Sequence, residues 1–190
     1  MGADRGVLIS DDSLAGADAV GTARILARAI EVIGDEGPVD LVLTGMASLD
    51  GMTSMLAPAL ATYLNWPLLD IAHSVEIAAD APSTVTVERR VDGSLDTLKA
   101  RTPVVVSVTE QVIEPRYPSF KDLRAARAKP LDVWEGWDWA GPASDLESLP
   151  ISAIEVVAAT PVQREEGVDI TDTGEGGSAL AAFLADKIEK

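Results

Sequence analysis

The stretch that most constrains the fold is residues 39–64, VDLVLTGMASLDGMTSMLAPALATYL. Residues 39–44 are mostly apolar, as expected of a strand buried on both faces of a parallel sheet. Residues 45–51 interrupt that run with small and polar side chains and a glycine at each end. From Thr53 to Leu64, Met55, Leu56, Leu60 and Leu64 recur at helical spacing. A strand, a glycine-bounded loop and a helix together present backbone N–H groups and a positive helix end to an anion.

The flanking segments extend the same alternation. Residues 6–10 read as a short buried strand and residues 11–13 as a turn or cap. Residues 17–33 read as an amphipathic helix, with Ile25, Leu26, Ala29, Ile30 and Ile33 on one face. Gly34, Gly37 and Pro38 are its stop signals. Strand and helix alternating in this way imply a parallel sheet with right-handed crossovers, an α/β fold. Such sheets bind ligands outside the carboxyl ends of their strands, where residues 45–51 lie. After residues 65–67 the pattern changes to strands: 68–79, 84–91, 95–100 and 104–108. Residues 84–89 alternate apolar and polar, and Asp92-Gly93 is a hairpin turn, so this part reads as an antiparallel ribbon.

Residues 110–118 are a proline-punctuated loop leading into a basic helix at 119–128. Four of the fifteen Lys and Arg residues lie between Lys121 and Lys129, a local reversal of sign that suits docking or equally a solvated helix face. Trp134, Trp137 and Trp139 crowd an acidic tract that either pins a loop or faces a partner. Residues 153–157 are one more strand candidate. Residues 174–177 read as a flexible joint before a short helix, 178–187, with an apolar stripe that needs something to pack on. No internal repeat or low-complexity tract is visible.

Composition limits the function. The chain of 190 residues is 47% hydrophobic, enough for a substantial core, and carries a net charge of −16. So acidic a surface disfavours nucleic acid and anionic lipid, while permitting a basic protein partner. With no cysteine there is no disulfide, thiolate nucleophile or Cys-ligated metal. The single His73 excludes a His-pair metal site and suits a structural role. No apolar run approaches the roughly 20 residues that span a bilayer, so no membrane insertion is expected. No secretory signal is visible, and a cytoplasmic location is expected. The hydrolase, P-loop, metalloprotease and GxGxxG dinucleotide signatures are all missing. Asp50 stands beside a loop glycine, where an acidic residue serves as a cap or accepts from a ligand hydroxyl. A nucleotide-binding or carrier protein fits better than an enzyme.

Several motifs, in order, resemble the β subunit of electron transfer flavoprotein. They are residues 40–45 (DLVLTG), 49–53 (LDGMT), Pro58, 65–67 (NWP), Glu88-Arg89, Asp92-Gly93 and 95–98 (LDTL). The most specific is 114–121 (EPRYPSFK), followed by 125–129 (AARAK), and the tail 173–177 (TGEGG) with Phe183-Leu184 also fits. The resemblance covers nearly the whole chain. It implies a Rossmann-like, adenine nucleotide α-hydrolase-like sheet with an antiparallel ribbon and a C-terminal extension. The implied division is a nucleotide-binding domain at 1–130 and an extension at 131–190 contacting the partner. It also implies AMP held by Gly45, Met46, Ala47, Ser48, Leu49, Asp50, Gly51, Met52, Thr53, Ser54, Met55 and Leu56. The FAD would be held mainly by a partner α subunit. Arg116, Tyr117, Pro118, Phe120 and Leu123 would dock flavin dehydrogenases. The implied role is electron relay from acyl-CoA-type dehydrogenases, as in fatty acid oxidation, to a membrane quinone reductase. The alternatives are a free-standing adenine-nucleotide module and, less in keeping with the residues, an enzyme acting on an adenylated substrate. The chain departs from the family in three respects. Two strand–helix units precede the matching segment in family chains. Met55 stands where Gln is usual, with Met46 replacing a polar residue. Ile113 stands where Asn is usual.

Overall fold

The computed structural model describes residues 2–49, 51–79, 83–141 and 169–188. The chain falls into two units, Met1–Glu155 and Val156–Lys190.

Among its described residues the first unit carries eight strands and three α-helices: β1 (Gly6–Ile9), α1 (Ala19–Glu36), β2 (Leu41–Gly45), α2 (Leu56–Leu64), β3 (Leu68–Ala72), β4 (Ser74–Ile77), β5 (Thr84–Val91), β6 (Ser94–Arg101), β7 (Val104–Val108), α3 (Phe120–Ala126) and β8 (Leu131–Trp134). Strands β2, β7 and β3 form a parallel sheet with β7 in the centre, and β1 pairs in parallel with β8. Strands β4, β5 and β6 form an antiparallel sheet. The expected α/β architecture with a parallel sheet and an antiparallel ribbon is therefore present.

β7 explains why the parallel sheet is the core. Val104, Val105 and Val106 are fully buried, because neighbouring side chains point to opposite faces and both faces are covered. Val105 packs under Ala57 and Ala61 of α2. Val104 and Val106 pack with Val85 and Val87 of β5. Arg89 on β5 joins Asp70 of β3 and Asp96 of β6, so an ionic link as well as an apolar layer holds the two sheets together. On the helical side Leu60 lies against Ala23 and Ala27 of α1, whose small side chains let the helices approach closely.

Helix α1 is capped by Asp18, whose carboxylate accepts from the Gly21 N–H at 2.7 Å. It runs two residues later at its start than the pattern predicts and continues through Gly34 to end before Gly37. One glycine is too weak a breaker to stop a helix whose apolar face is packed. The hairpin at Asp92-Gly93 forms as expected, with φ of 49° and 77°; both residues take the left-handed conformation that a tight hairpin turn requires. Gly6 on β1 faces Leu131 in the β8 register. A Cβ there would lie 2.9 Å from the end of the Leu131 side chain, so a larger residue would require that exposed side chain to move.

Two expectations need correction. Residues 68–79 do not form one strand. The chain breaks at Ile71, which has a φ of 56°, and register slips between Leu69 and Ala72. The Ile71 N–H is taken by the buried Ser107 hydroxyl at 2.8 Å. This bulge turns the chain out of the parallel sheet and into the antiparallel one. Helix α2 starts at Leu56, not Thr53. Met52 has a φ of 49° and donates to the Ser48 carbonyl at 3.0 Å, closing a turn at 48–52, and residues 53–55 lead from it into the helix without joining it.

The tryptophan tract closes on itself. Trp134 and Trp139 stack at 5.0 Å, and the Trp139 indole N–H donates to the Gly136 carbonyl at 2.8 Å. Asp11 pins this loop: one carboxylate oxygen accepts from Ser13 and the other from the Gly136 N–H at 2.9 Å. The Ser13 hydroxyl first, then the Ser13 and Gly136 N–H groups, hold the Asp11 carboxyl below its usual range. A depressed folded-state value stabilises the protein above the ordinary carboxylate range, and that stability is lost as pH falls through the folded value. Asp11→Ala should therefore unfold at lower temperature than the unsubstituted chain at pH 7. Thermal melts should show the gap narrowing below about pH 4.

The second unit contains α4 (Gly176–Ile188). Asp172 caps its approach, accepting from the Gly174 and Gly176 N–H groups at 2.8 and 2.9 Å. Gly176 and Gly177, expected in a joint, form the first turn of this helix. The strand candidate at 153–157 lies outside the described residues.

Candidate functional site

The carboxyl ends of β2, β3 and β7 meet at one edge of the parallel sheet. The loop after β2 stands over that edge and is solvent-exposed. Gly45, Met46, Ala47, Ser48, Leu49, Gly51, Met52, Thr53, Ser54 and Met55 all expose their surface, Leu49 to 91%. Asp50 lies outside the described residues. A cleft of about 590 Å³ opens beside the loop, bounded by Met46, Leu49, Met52 and Val108 together with His73 and Glu110.

The start of α2 is the site's other half. Met55 is its N-cap residue and makes no capping hydrogen bond through its side chain. The first N–H groups of a helix lack intrahelical partners. Pro58 contributes none, so Leu56 and Ala57 supply the donors of that turn. Thr44, the residue before Gly45, holds a buried hydroxyl oxygen with no hydrogen-bond partner. Along β2 it shares a face with Val42, which packs against the helical layer. An uncapped helix start close in sequence to an orphaned hydroxyl fits one negatively charged oxygen group. Asp50 is the sole charged residue in 45–56, so backbone and hydroxyl donors must do that binding.

The sequence-derived docking residues sit elsewhere, on α3 and the segment before it. A capping box starts α3: the Ser119 hydroxyl accepts from the Asp122 N–H at 3.1 Å, and the Asp122 carboxylate accepts from the Ser119 N–H at 3.2 Å. Arg116 adds a 3.2 Å contact to the same carboxylate. The Ser119 groups, then Arg116, hold the Asp122 carboxyl below its usual range. This clamp orders the turn that carries Tyr117, Pro118 and Phe120. Tyr117 is 96% exposed and Phe120 84% exposed. Leu123, three residues after Phe120, lies on the same helical face and is also exposed. A second depression, near Arg5 and Lys129, is lined by cations already neutralised by Glu36, Asp132 and Asp4.

The sequence suggests only a structural role for His73, and its place in the cleft lining is not legible there. The signal is tertiary: Ile71 breaks β3 and turns the next residues across the sheet edge. Among the described residues no cluster of acidic or imidazole groups suits a metal ion. None of the helices there is long and apolar enough to cross a membrane.

Comparison with known proteins matches residues 1–139 to the electron transfer flavoprotein domain. The electron transfer flavoprotein subunit beta of Mycobacterium tuberculosis is 38% identical over 185 residues, covering 97% of this chain and 67% of that protein. Its counterpart in Mycobacterium leprae is 36% identical over the same shares. Protein FixA of Bradyrhizobium diazoefficiens is 34% identical over 191 residues, covering 96% of this chain and 65% of that protein. The chain thus spans about two thirds of the length of these relatives. A domain match over most of the sequence means that this chain belongs to the electron transfer flavoprotein family, among relatives named as its β subunit.

Proposed function

We propose that this chain is the β-type subunit of an electron transfer flavoprotein. In this reading it binds AMP at the β2–α2 connection and pairs with an α subunit that holds most of the FAD. It performs no bond chemistry of its own. Electrons pass from acyl-CoA-type dehydrogenases through the flavin to a membrane quinone reductase, on the cytoplasmic side. The observations that carry the reading are the uncapped α2 start and, earlier along the same β2–α2 connection, the orphaned Thr44 hydroxyl, in a chain of this family. There the N–H groups of Leu56 and Ala57 and the Thr44 hydroxyl would hold the AMP phosphate. Residues 1–130 carry the nucleotide, and residues from 131 onward face the partner, with Leu131–Trp134 anchored on β1. The exposed apolar stripe of α4, Leu180 and Leu184, suits such a contact.

Co-expression with an α-subunit homologue tests this reading. A 1:1 complex with a flavin absorbance band absent from either chain alone is the expected result. Saturable AMP binding by a chain that never pairs would favour a free-standing nucleotide module instead. The docking part has its own test. Phe120→Ala should slow electron transfer from the dehydrogenase at least about tenfold, because truncating an exposed aromatic anchor removes binding energy at an interface. Its thermal midpoint should not move, since the ring is almost wholly in solvent. Unchanged transfer rates would remove Phe120 from the interface.

A further inference from the structure

The exposed β2–α2 connection holds nearly all of the sulfur in the chain. We propose that Met46, Met52 and Met55 form an oxidation site, each taking one oxygen atom from a hydroperoxide, and that their sulfoxides weaken nucleotide binding. The binding half rests on the nucleotide reading above; the modification half does not.

Three observations lead there. First, the chain has four methionines and no cysteine. Three of the four fall within the ten residues 46–55, and the fourth is Met1. A peroxide therefore meets thioether sulfur with no thiol competing for it. Second, none of the three fills a core. Methionine ordinarily packs into irregular gaps between buried side chains. Among the described residues the buried apolar side chains are those of Val, Leu, Ile and Ala, whereas Met46 is 46% exposed, Met52 74% and Met55 52%. Oxidation follows exposure. Third, the three thioethers border the proposed binding place. Met46 and Met52 line the cleft, and Met55 is the N-cap residue of α2 with no capping hydrogen bond through its side chain.

The reaction is a transfer of one oxygen atom. A sulfur lone pair attacks the outer oxygen of the hydroperoxide, and the O–O bond breaks as the S–O bond forms. The proton on the outer oxygen passes to the other, which departs as water or an alcohol. Sulfur is oxidised by two electrons and the peroxide is reduced by two. The product is a polar side chain whose oxygen accepts hydrogen bonds and has no proton to donate. At Met46 and Met52 it replaces apolar wall with polar surface. At Met55 it sets partial negative charge at the start of α2, where the Leu56 and Ala57 N–H groups would serve a phosphate. Those donors then face a second acceptor, carried by the chain itself. Methionine sulfoxide reductases restore the thioether, so the change is reversible.

Hydrogen peroxide treatment of the 190-residue chain, followed by peptide mass mapping, tests the modification. Each of the three methionines should gain one oxygen at a rate close to that of free methionine in the same tube. No sulfoxide at 46, 52 and 55 when free methionine is consumed overturns the site. Calorimetric titration with AMP before and after treatment tests the consequence. The affinity should fall about tenfold, the scale of one lost hydrogen bond, and recover after incubation with both methionine sulfoxide reductases and a dithiol. Weakening that the reductases do not reverse overturns the binding effect. Met46→Leu, Met52→Leu and Met55→Leu combined should give the same AMP affinity treated and untreated, and a loss on treatment there also overturns it. Full oxidation with unchanged AMP affinity overturns the binding effect and leaves the nucleotide reading standing. An untreated chain that does not bind AMP overturns both.

Discussion

Leu60→Ala is expected to lower the unfolding free energy by about 3 kcal/mol, within the range for a buried leucine truncation. Leu60 is only 2% exposed and sits between α2 and α1, against Ala23 and Ala27. Alanines cannot reach into the space that three lost heavy atoms would leave, so the cavity would persist. Leu26, Ile30 and Val42 border the same cluster, which ties both helices to β2. Helix α2 has only nine residues and no side-chain cap, so packing rather than intrinsic propensity keeps it formed. Urea denaturation should show the lower midpoint with an unchanged slope. Leu49→Ala, on the exposed loop, should leave the midpoint in place. Equal midpoints for Leu60→Ala and the unsubstituted chain would mean that the α1–α2 layer does not hold the sheet.

The second large effect is on binding. Met55→Glu should weaken AMP binding by one to two orders of magnitude while leaving stability intact or slightly raised. Met55 is the N-cap of α2 and 52% exposed, so a carboxylate fits there without repacking. A negative charge at a helix start interacts favourably with the dipole. The same charge within about 4 Å of a phosphate costs on the order of 1–4 kcal/mol, depending on how much water intervenes. Met55→Gln is the neutral control and should bind AMP at least as tightly, because its amide can donate where a thioether cannot. Loss of binding in both variants would point to a steric cause and not to a phosphate.

The elements legible in the sequence are those whose local pattern and tertiary setting agree. The apolar runs of β2 and β7, the face of α1 and the Asp92-Gly93 hairpin each needed only neighbouring residues to be read. The Gly45–Leu56 connection was legible as an exposed loop before a helix. Residues 53–55 lie outside the helix; the helical spacing of Met55, Leu56 and Leu60 does not mark where the first turn begins. Ile71 misled for a different reason. Isoleucine favours strands, so nothing local signals a left-handed residue in mid-strand; the Ser107 hydroxyl that fixes it comes from β7. The Trp134 end of β8 was read as part of an aromatic tract. The partner that makes it a strand, β1, is more than a hundred residues away in sequence.

The most direct measurement is a backbone amide NMR titration of the isotope-labelled chain with AMP. The account predicts saturable shifts concentrated in residues 45–57, largest at Leu56 and Ala57, with small changes on α3. Saturation with those amides unmoved, or with shifts centred on Arg5 and Lys129, would contradict it.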